Sequence, residues 1–116
     1  MDDQLKEALD FANFRQAFSI QQKTLKEKIQ AKLTYGFNGG IFKINRDLIS
    51  FVQTLLNKGR DTGVVLLDQN ENPILIEDLN KFQEEILDRY FTATNEYLES
   101  FQKLKKSRSV EKLLDL

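Results

Sequence analysis

The dipeptide Asn38-Gly39 constrains this chain most, because it predicts a β-hairpin in the middle of an otherwise mostly helical sequence. Both central residues of a type I′ turn need a positive φ angle, and Asn-Gly adopts such a turn readily. With these two residues as the loop, Phe37 pairs with Gly40. Side chains alternate along strands, so one face of the hairpin is predicted to hold Leu33, Tyr35, Phe37, Phe42 and Ile44. The other face is predicted to hold Thr34, Gly36, Gly40 and Lys43.

Two long amphipathic segments flank this middle region. In residues 3–32, apolar side chains recur at helical spacing at Phe11, Phe14, Phe18, Leu25 and Ile29. In residues 78–106 the spacing is three or four throughout, at Leu79, Phe82, Ile86, Tyr90, Ala93, Tyr97, Phe101 and Leu104. A second line widens the apolar face and predicts burial on two sides; it consists of Leu87, Phe91 and Leu98. A 30-residue helix is about 45 Å long, so we expect a partner to cover part of it.

The region between the long segments predicts a helix and a second strand pair. Asn45 can cap a helix over residues 46–58, and Gly59 stands where a C′ glycine belongs. This helix is the most apolar of the chain, which places it at the expected centre of the fold. Residues 64–68 and 74–76 are apolar without alternation, which predicts burial on both faces or an ambiguous register.

The predicted fold class is therefore α+β and mostly helical, with the order α-β-β-α-β-β-α. Two long helices bracket a hairpin–helix–hairpin middle. We expect one domain over residues 1–106, followed by a short linker and an apolar tail over residues 107–116.

Composition argues against catalysis. The 116 residues include no histidine and no cysteine, which removes the usual general base and the commonest metal ligands. We therefore expect no enzyme activity, no metal and no cofactor.

The formal net charge of −1 gives no bulk attraction to nucleic acid. The sequence has no apolar run of membrane-spanning length and does not begin like a signal peptide, so we expect no membrane partner and a cytoplasmic location.

Two apparent motifs have simpler explanations. Residues 68–72 resemble the start of an EF-hand loop, but Pro73 and Leu79 stand where glycine and glutamate are required. The glycines near residue 39 are not followed by Gly-Lys-Ser/Thr, so they indicate a turn rather than a phosphate cradle; the turn residues are Asn38, Gly39 and Gly40.

Among the acidic pairs, Glu84 and Glu85 point about 100° apart on a helix, whereas Glu77 and Asp78 suit a helix N-terminus.

A basic patch lies near the C-terminus, at Lys103, Lys105, Lys106 and Arg108, with Lys112 close by. Cations at a helix C-terminus complement the helix macrodipole. The same residues could instead contact a phosphate or an acidic partner surface. The sequence leaves both interpretations open.

The tail ends in a short apolar pattern after a break at residues 107–109. Ser109 is a natural N-cap, and the next residues can form a short helical turn. The candidate partner-binding residues are Val110, Leu113, Leu114 and Leu116. They can dock on the chain's own body or in the groove of a partner.

Three segments, YGFNGGIFKINRDLISFV, NPILIEDLNKF and KKSRSVEKLLDL, together resemble the small prohead core proteins of T4-type tailed phages. The resemblance covers residues 33–116. It implies a non-enzymatic component of the internal capsid scaffold that self-associates or binds other core and shell proteins. It also implies a location in the host cytoplasm, within the prohead or the virion interior.

The last eight residues, SVEKLLDL, are similar to the C-terminal peptides by which phage replication and late-transcription proteins dock on the sliding clamp. They differ in having Glu111 and Lys112 and in lacking an aromatic residue. The primary hypothesis is an assembly protein that acts as a homo-oligomer and binds capsid or core partners. The alternative is a soluble adaptor that docks its C-terminal peptide on a sliding clamp or another replication or transcription factor.

Overall fold

The computed structural model describes residues 2–107 and 110–114, without the side chains of residues 111 and 112. Within these residues the elements are α1 (Asp3–Lys32), β1 (Thr34–Phe37), β2 (Gly40–Lys43), α2 (Arg46–Asn57), β3 (Thr62–Leu67), β4 (Pro73–Asp78), α3 (Leu79–Lys106) and α4 (Val110–Leu114). The strands form two separate antiparallel two-stranded sheets. This confirms the predicted α+β class, its helical character and its order, to which α4 adds a five-residue helix in the tail.

The backbone divides into two compact units. The central unit is Gln30–Thr94, and it contains both hairpins, α2 and the first part of α3. The helical unit consists of Met1–Ile29 and Asn95–Leu116. The two long helices thus each contribute to both units.

The β1–β2 hairpin has the predicted turn and register. Asn38 and Gly39 have φ angles of 50° and 84°, and Phe37 pairs with Gly40. Leu33, Phe42 and Ile44 are buried on the inner face. The turn is also held from outside the hairpin, because the Asn38 side chain donates a hydrogen bond to the Leu75 carbonyl oxygen at 2.9 Å.

The placement of Gly40 on the outer face of the hairpin is wrong. Residues that pair across an antiparallel ladder share a face, so Gly40 lies with Phe37 on the inner side and is buried. Ile41 takes the outer position and is 40% exposed. A Cβ atom added to Gly40 would lie 2.5 Å from Cγ1 of Ile74. Glycine is therefore favoured here because the Ile74 side chain of β4 lies directly against the Gly40 backbone.

The β3–β4 hairpin has a single register, with Val65 paired to Leu75 and Leu66 paired to Ile74. Only one of its faces is buried, at Leu66, Ile74 and Ile76. The expected burial on both faces or ambiguous register is thus wrong. The outer face stays apolar and exposed, at Val65, Leu67 and Leu75.

Helix α2 is capped as predicted but is not the centre of the fold. The Leu48 amide donates to Asn45 Oδ1 at 2.8 Å at the N-terminus, and Gly59 follows the C-terminus with a φ of 76°. Val52 is the buried residue of this helix, whereas Phe51 is 55% exposed. The core of the central unit instead depends on the first half of α3, where Leu79, Phe82 and Ile86 are almost completely buried.

The carboxylate of Asp68 is one of the links between the two hairpins. Asp68, 7% exposed, follows β3. Its Oδ2 accepts the Ile41 amide at 2.9 Å. Its Oδ1 accepts hydrogen bonds from the backbone amides of Asn70 and Asn72 at 2.9 and 3.0 Å. The Gln69 amide donates in turn to the Ile41 carbonyl oxygen at 2.8 Å. The edge of β2 is therefore bonded to the loop between β3 and β4.

The helical unit has much less buried surface. Of the described residues in α1, Ile29 is buried, and those before it are half-buried or exposed. Leu104 of α3 and Leu113 of α4 are 1% and 0% exposed. Most of the apolar side chains of α1 therefore remain in contact with solvent.

We expect Gly40→Ala to destabilise the protein by about 1–3 kcal/mol, because the new methyl group overpacks against Ile74. Combining it with Ile74→Ala, which removes the clashing atoms, should cost less than the sum of the two single changes. Gly36→Ala is the matched control, because its Cβ atom would meet nothing closer than the Gly40 carbonyl oxygen at 4.0 Å. Denaturant unfolding of the four variants measures the coupling, and strict additivity would contradict the close contact.

The second prediction concerns how the stability of the protein depends on pH. The pKa of Asp68 is lowered chiefly by the Ile41 amide and then by the Asn72 and Asn70 amides, against the effect of burial. A carboxyl group whose pKa is lowered by folding stabilises the protein above its unfolded pKa, and this contribution is lost as pH falls through the folded value. Asp68→Asn should therefore reduce the free energy of unfolding at neutral pH, and the difference from the wild type should shrink below about pH 4.

Chemical denaturation at several pH values measures this difference. Asp88→Asn, which removes the same charge from an exposed helical position, serves as the control. A difference between Asp68→Asn and the wild type that stays constant into acid would contradict the assigned role of the carboxylate.

Candidate functional site

A pocket of about 450 Å³ opens on the central unit where β1, β4 and α3 meet. Its aromatic wall is formed by Tyr35, Phe37 and Phe82. The Phe82 ring lies 5.4 Å from the Phe37 ring and 5.2 Å from the Phe42 ring, both edge-on. Since Phe82 is buried while Tyr35 and Phe37 are half-buried, the pocket presents ring surface that is backed by the core.

The rim of the pocket is acidic. Glu77, Asp78 and Glu85 line it together with one cation, Lys81. Asp78 caps α3 by accepting the Lys81 amide at 3.0 Å, which confirms the predicted helix N-terminus. Glu77 is exposed, and it makes no ion pair within the part of the chain that the structure describes.

One cation of the chain, Arg89, already contacts an aromatic ring and a carboxylate at the edge of the pocket. The Arg89 guanidinium lies 4.3 Å from the centre of the Tyr35 ring. Its Nε atom is 2.7 Å from Oε1 of Glu85, one helical turn away. Burial raises the pKa of the Tyr35 hydroxyl, the Glu85 charge raises it further, and Arg89 lowers it. The Tyr35 ring and the Glu85 carboxylate therefore act together on one cation at the edge of the pocket.

Sequence reasoning did not find this pocket. It assigned Asn38, Gly39 and Gly40 to a turn, and Asn38 lies in that turn at the pocket wall. Of the acidic lining residues, the sequence sets Glu85 aside because its side chain diverges from that of Glu84, and it assigns Glu77 and Asp78 to a helix N-terminus. A usable signal is the spacing of Phe82 and Glu85, which places these two side chains on one face of α3, close to the capping residue Asp78.

The tail residues fall in different environments. Leu113 is completely buried, Val110 is half-buried, and Leu114 is 67% exposed. Leu116 and Ser109 lie outside the described residues. As the tail stands, Leu113 has no surface to offer to a partner.

The basic patch is solvent-exposed where it is described. Lys103, Lys105 and Lys106 are exposed in the last turn of α3, and Arg108 lies outside the described residues. Lys103 is 3.9 Å from Glu99, and both side chains are well exposed; such pairs contribute little to stability. The Lys105 ammonium lies 5.6 Å from the centre of the Phe101 ring.

Lys103 also lines a groove of about 280 Å³ in the helical unit, formed by residues of α1 and α3. Leu25 and Leu104 contribute apolar surface there, and Lys28 is a second cation. Among the described residues, no cluster of acidic side chains could hold a metal ion. No helix in the described part is both long and apolar enough to cross a membrane.

Exposed apolar side chains make up the other candidate surface. On α1 they are Leu5, Leu9, Phe11 and Ile20, between 45% and 63% exposed. On α3 the second apolar line is left open at Phe91 and Leu98, which are 58% and 55% exposed. The predicted burial of α3 on two sides is therefore incomplete.

Comparisons with protein-family models, curated proteins and solved structures find no match for this chain.

The third prediction concerns the electrostatics of the pocket. Glu85→Gln should lower the pKa of Tyr35, because it removes a negative charge that disfavours the phenolate. Arg89→Gln should raise the pKa of Tyr35, because it removes the opposing cation. Ultraviolet titration of the phenolate in a Tyr90→Phe/Tyr97→Phe background isolates this residue. Shifts of the same sign in both variants would contradict the described arrangement.

Proposed function

We propose that this chain is a non-enzymatic assembly protein that self-associates through the exposed apolar surface of α1. The observation that carries the proposal is the distribution of apolar residues around this helix. Leu9 and Phe18 are nine residues apart, which is about two and a half turns, so they point to opposite sides. The helix therefore has two apolar faces.

The first face of α1 is the predicted stripe, and it is partly covered. Phe14, Phe18 and Leu25 are half-buried, and Ile29 is buried. The second face consists of Leu5, Leu9 and Ile20 and is exposed along its length. Leu5 and Leu9 are one turn apart, and Ile20 follows about three turns later. A helix that is apolar on two opposite sides is typical of one buried on both sides.

A second copy of α1 is the occupant that we propose for this face. The same apolar stripe on two copies is self-complementary, as a two-fold symmetric contact requires. Covering a half-exposed leucine or isoleucine side chain contributes about 1 kcal/mol. Association would thus bury apolar surface that the single chain leaves in water.

The resemblance of residues 33–116 to prohead core proteins makes the internal scaffold of a T4-type phage the setting that we propose, with other core and shell proteins as further partners. The absence of histidine and cysteine supports a structural role over a catalytic one.

The adaptor hypothesis has less support. Its peptide would have to release the buried Leu113 before a clamp could bind it.

The fourth prediction tests self-association. Leu5→Glu/Leu9→Glu should shift sedimentation toward the mass of a single chain, because two carboxylates on the second face of α1 would have to lose water on association. Both positions are exposed, so the helical circular dichroism should not change. Gln4→Glu/Ala8→Glu adds the same charge at the side of the helix and should leave the mass unchanged. A wild type that sediments as a single chain at all concentrations would refute the proposal.

A further inference from the structure

The acidic–aromatic pocket of the central unit has the chemistry of a site for cationic side chains. Three carboxylates and one lysine lie on its rim. Glu77 stands exposed and unpaired among the described residues. Tyr35 and Phe37 offer partly exposed rings, and the negative face of an aromatic ring attracts a cation.

Arg89 shows that the arrangement can hold such a group. Its guanidinium lies over the Tyr35 ring at 4.3 Å while it pairs with Glu85 at 2.7 Å. This contact lies at the edge of the pocket, since Arg89 is not among the lining residues. Among the described residues, no cation lies over the Phe37 ring or forms an ion pair with Glu77.

The chain itself carries a segment with the complementary charge. Lys103, Lys105 and Lys106 form a basic segment within four residues at the end of α3. All three side chains are exposed, and the closest ion pair of the segment, from Lys103 to Glu99, is 3.9 Å long. Lysine combines an apolar stem with a terminal ammonium. The stem can lie against the phenyl rings while the ammonium reaches the acidic rim.

We propose that the pocket of one copy binds the basic segment of a second copy, chiefly through Lys105 and Lys106. This proposal rests on the self-association proposed above and adds a second interface to it. The two interacting surfaces differ, so the contact is heterologous. Heterologous contacts continue from copy to copy unless they close into a ring. A symmetric contact through α1 combined with this one would allow growth beyond a dimer.

The test uses two full-length variants in the Leu5→Glu/Leu9→Glu background, which removes the contact through α1. Glu77→Lys reverses the charge of that residue and leaves two carboxylates against two lysines on the rim of the pocket. Lys105→Glu/Lys106→Glu reverses the charge of the basic segment. Sedimentation velocity measures the mass of each variant alone and of their equimolar mixture. Each variant alone should associate at least tenfold more weakly than the background protein. The mixture should form a one-to-one complex, because it retains one intact segment and one intact pocket.

Two controls match these charge changes. Glu84→Lys lies beside the pocket residues in sequence but not in the pocket lining, and Lys43→Glu/Lys58→Glu changes two exposed lysines of the central unit. Both controls should associate like the background protein. The intact contact should also weaken as salt rises.

Three results would overturn this inference. The first is a mixture of variants that stays at the mass of single chains. The second is a loss of association in the controls as large as that in the test variants. The third is a background protein with no residual association. If the Leu5→Glu/Leu9→Glu change alone abolishes association while the charge variants have no effect in the wild-type background, the inference fails and the proposed function stands. If Leu5→Glu/Leu9→Glu has no effect, the proposed α1 interface fails, whatever the charge variants do.

Discussion

The contact between the two hairpins is the constraint on which the rest of the central unit depends. A two-stranded hairpin is marginally stable alone, and within the described part of the chain neither sheet gains a third strand. The Asp68 carboxylate instead accepts the Ile41 amide at the edge of β2, and Gly40 lets β2 come against Ile74. Asn38 adds a bond from the turn to the Leu75 carbonyl. These contacts place Tyr35 and Phe37 beside β4, and so they create the wall of the pocket.

Asp68 also illustrates how one sequence pattern can serve two kinds of chemistry. An acidic residue followed by amide side chains is typical of a calcium loop, in which carboxylate oxygens face a cation. Here both oxygens of Asp68 face backbone N–H groups. Those donors lower the pKa of Asp68 and use the lone pairs that a metal ion would need. The carboxylate therefore closes the loop around itself and joins it to β2.

Local signals in the sequence predicted what is local in the structure. Asn38-Gly39 determined the turn and register, apolar spacing predicted the bounds of α1, and Asn45 marked the start of α2. Apart from the face given to Gly40, the failures involve contacts between residues distant in sequence. Gly40 was placed on the wrong face, although its pairing with Phe37 was predicted and implied the inner one. That β4 lies against Gly40 could not be predicted from either hairpin separately. The pocket was missed for the same reason, since Phe37 and Glu77 are forty residues apart and meet only when the hairpins pack.

The uneven distribution of burial between the two units bears on the self-association proposed for this chain. The central unit buries a series of aromatic and aliphatic side chains around the first half of α3. In the helical unit the buried apolar residues among those described are Ile29, Leu104 and Leu113. Leu113 is important to the helical unit because it is one of the few buried residues that form its small core. Releasing the tail to a partner would therefore weaken the helical unit, whereas covering the second face of α1 would strengthen it. Assembly through α1 is thus the interaction that agrees with the stability of this unit, and docking through the tail opposes it.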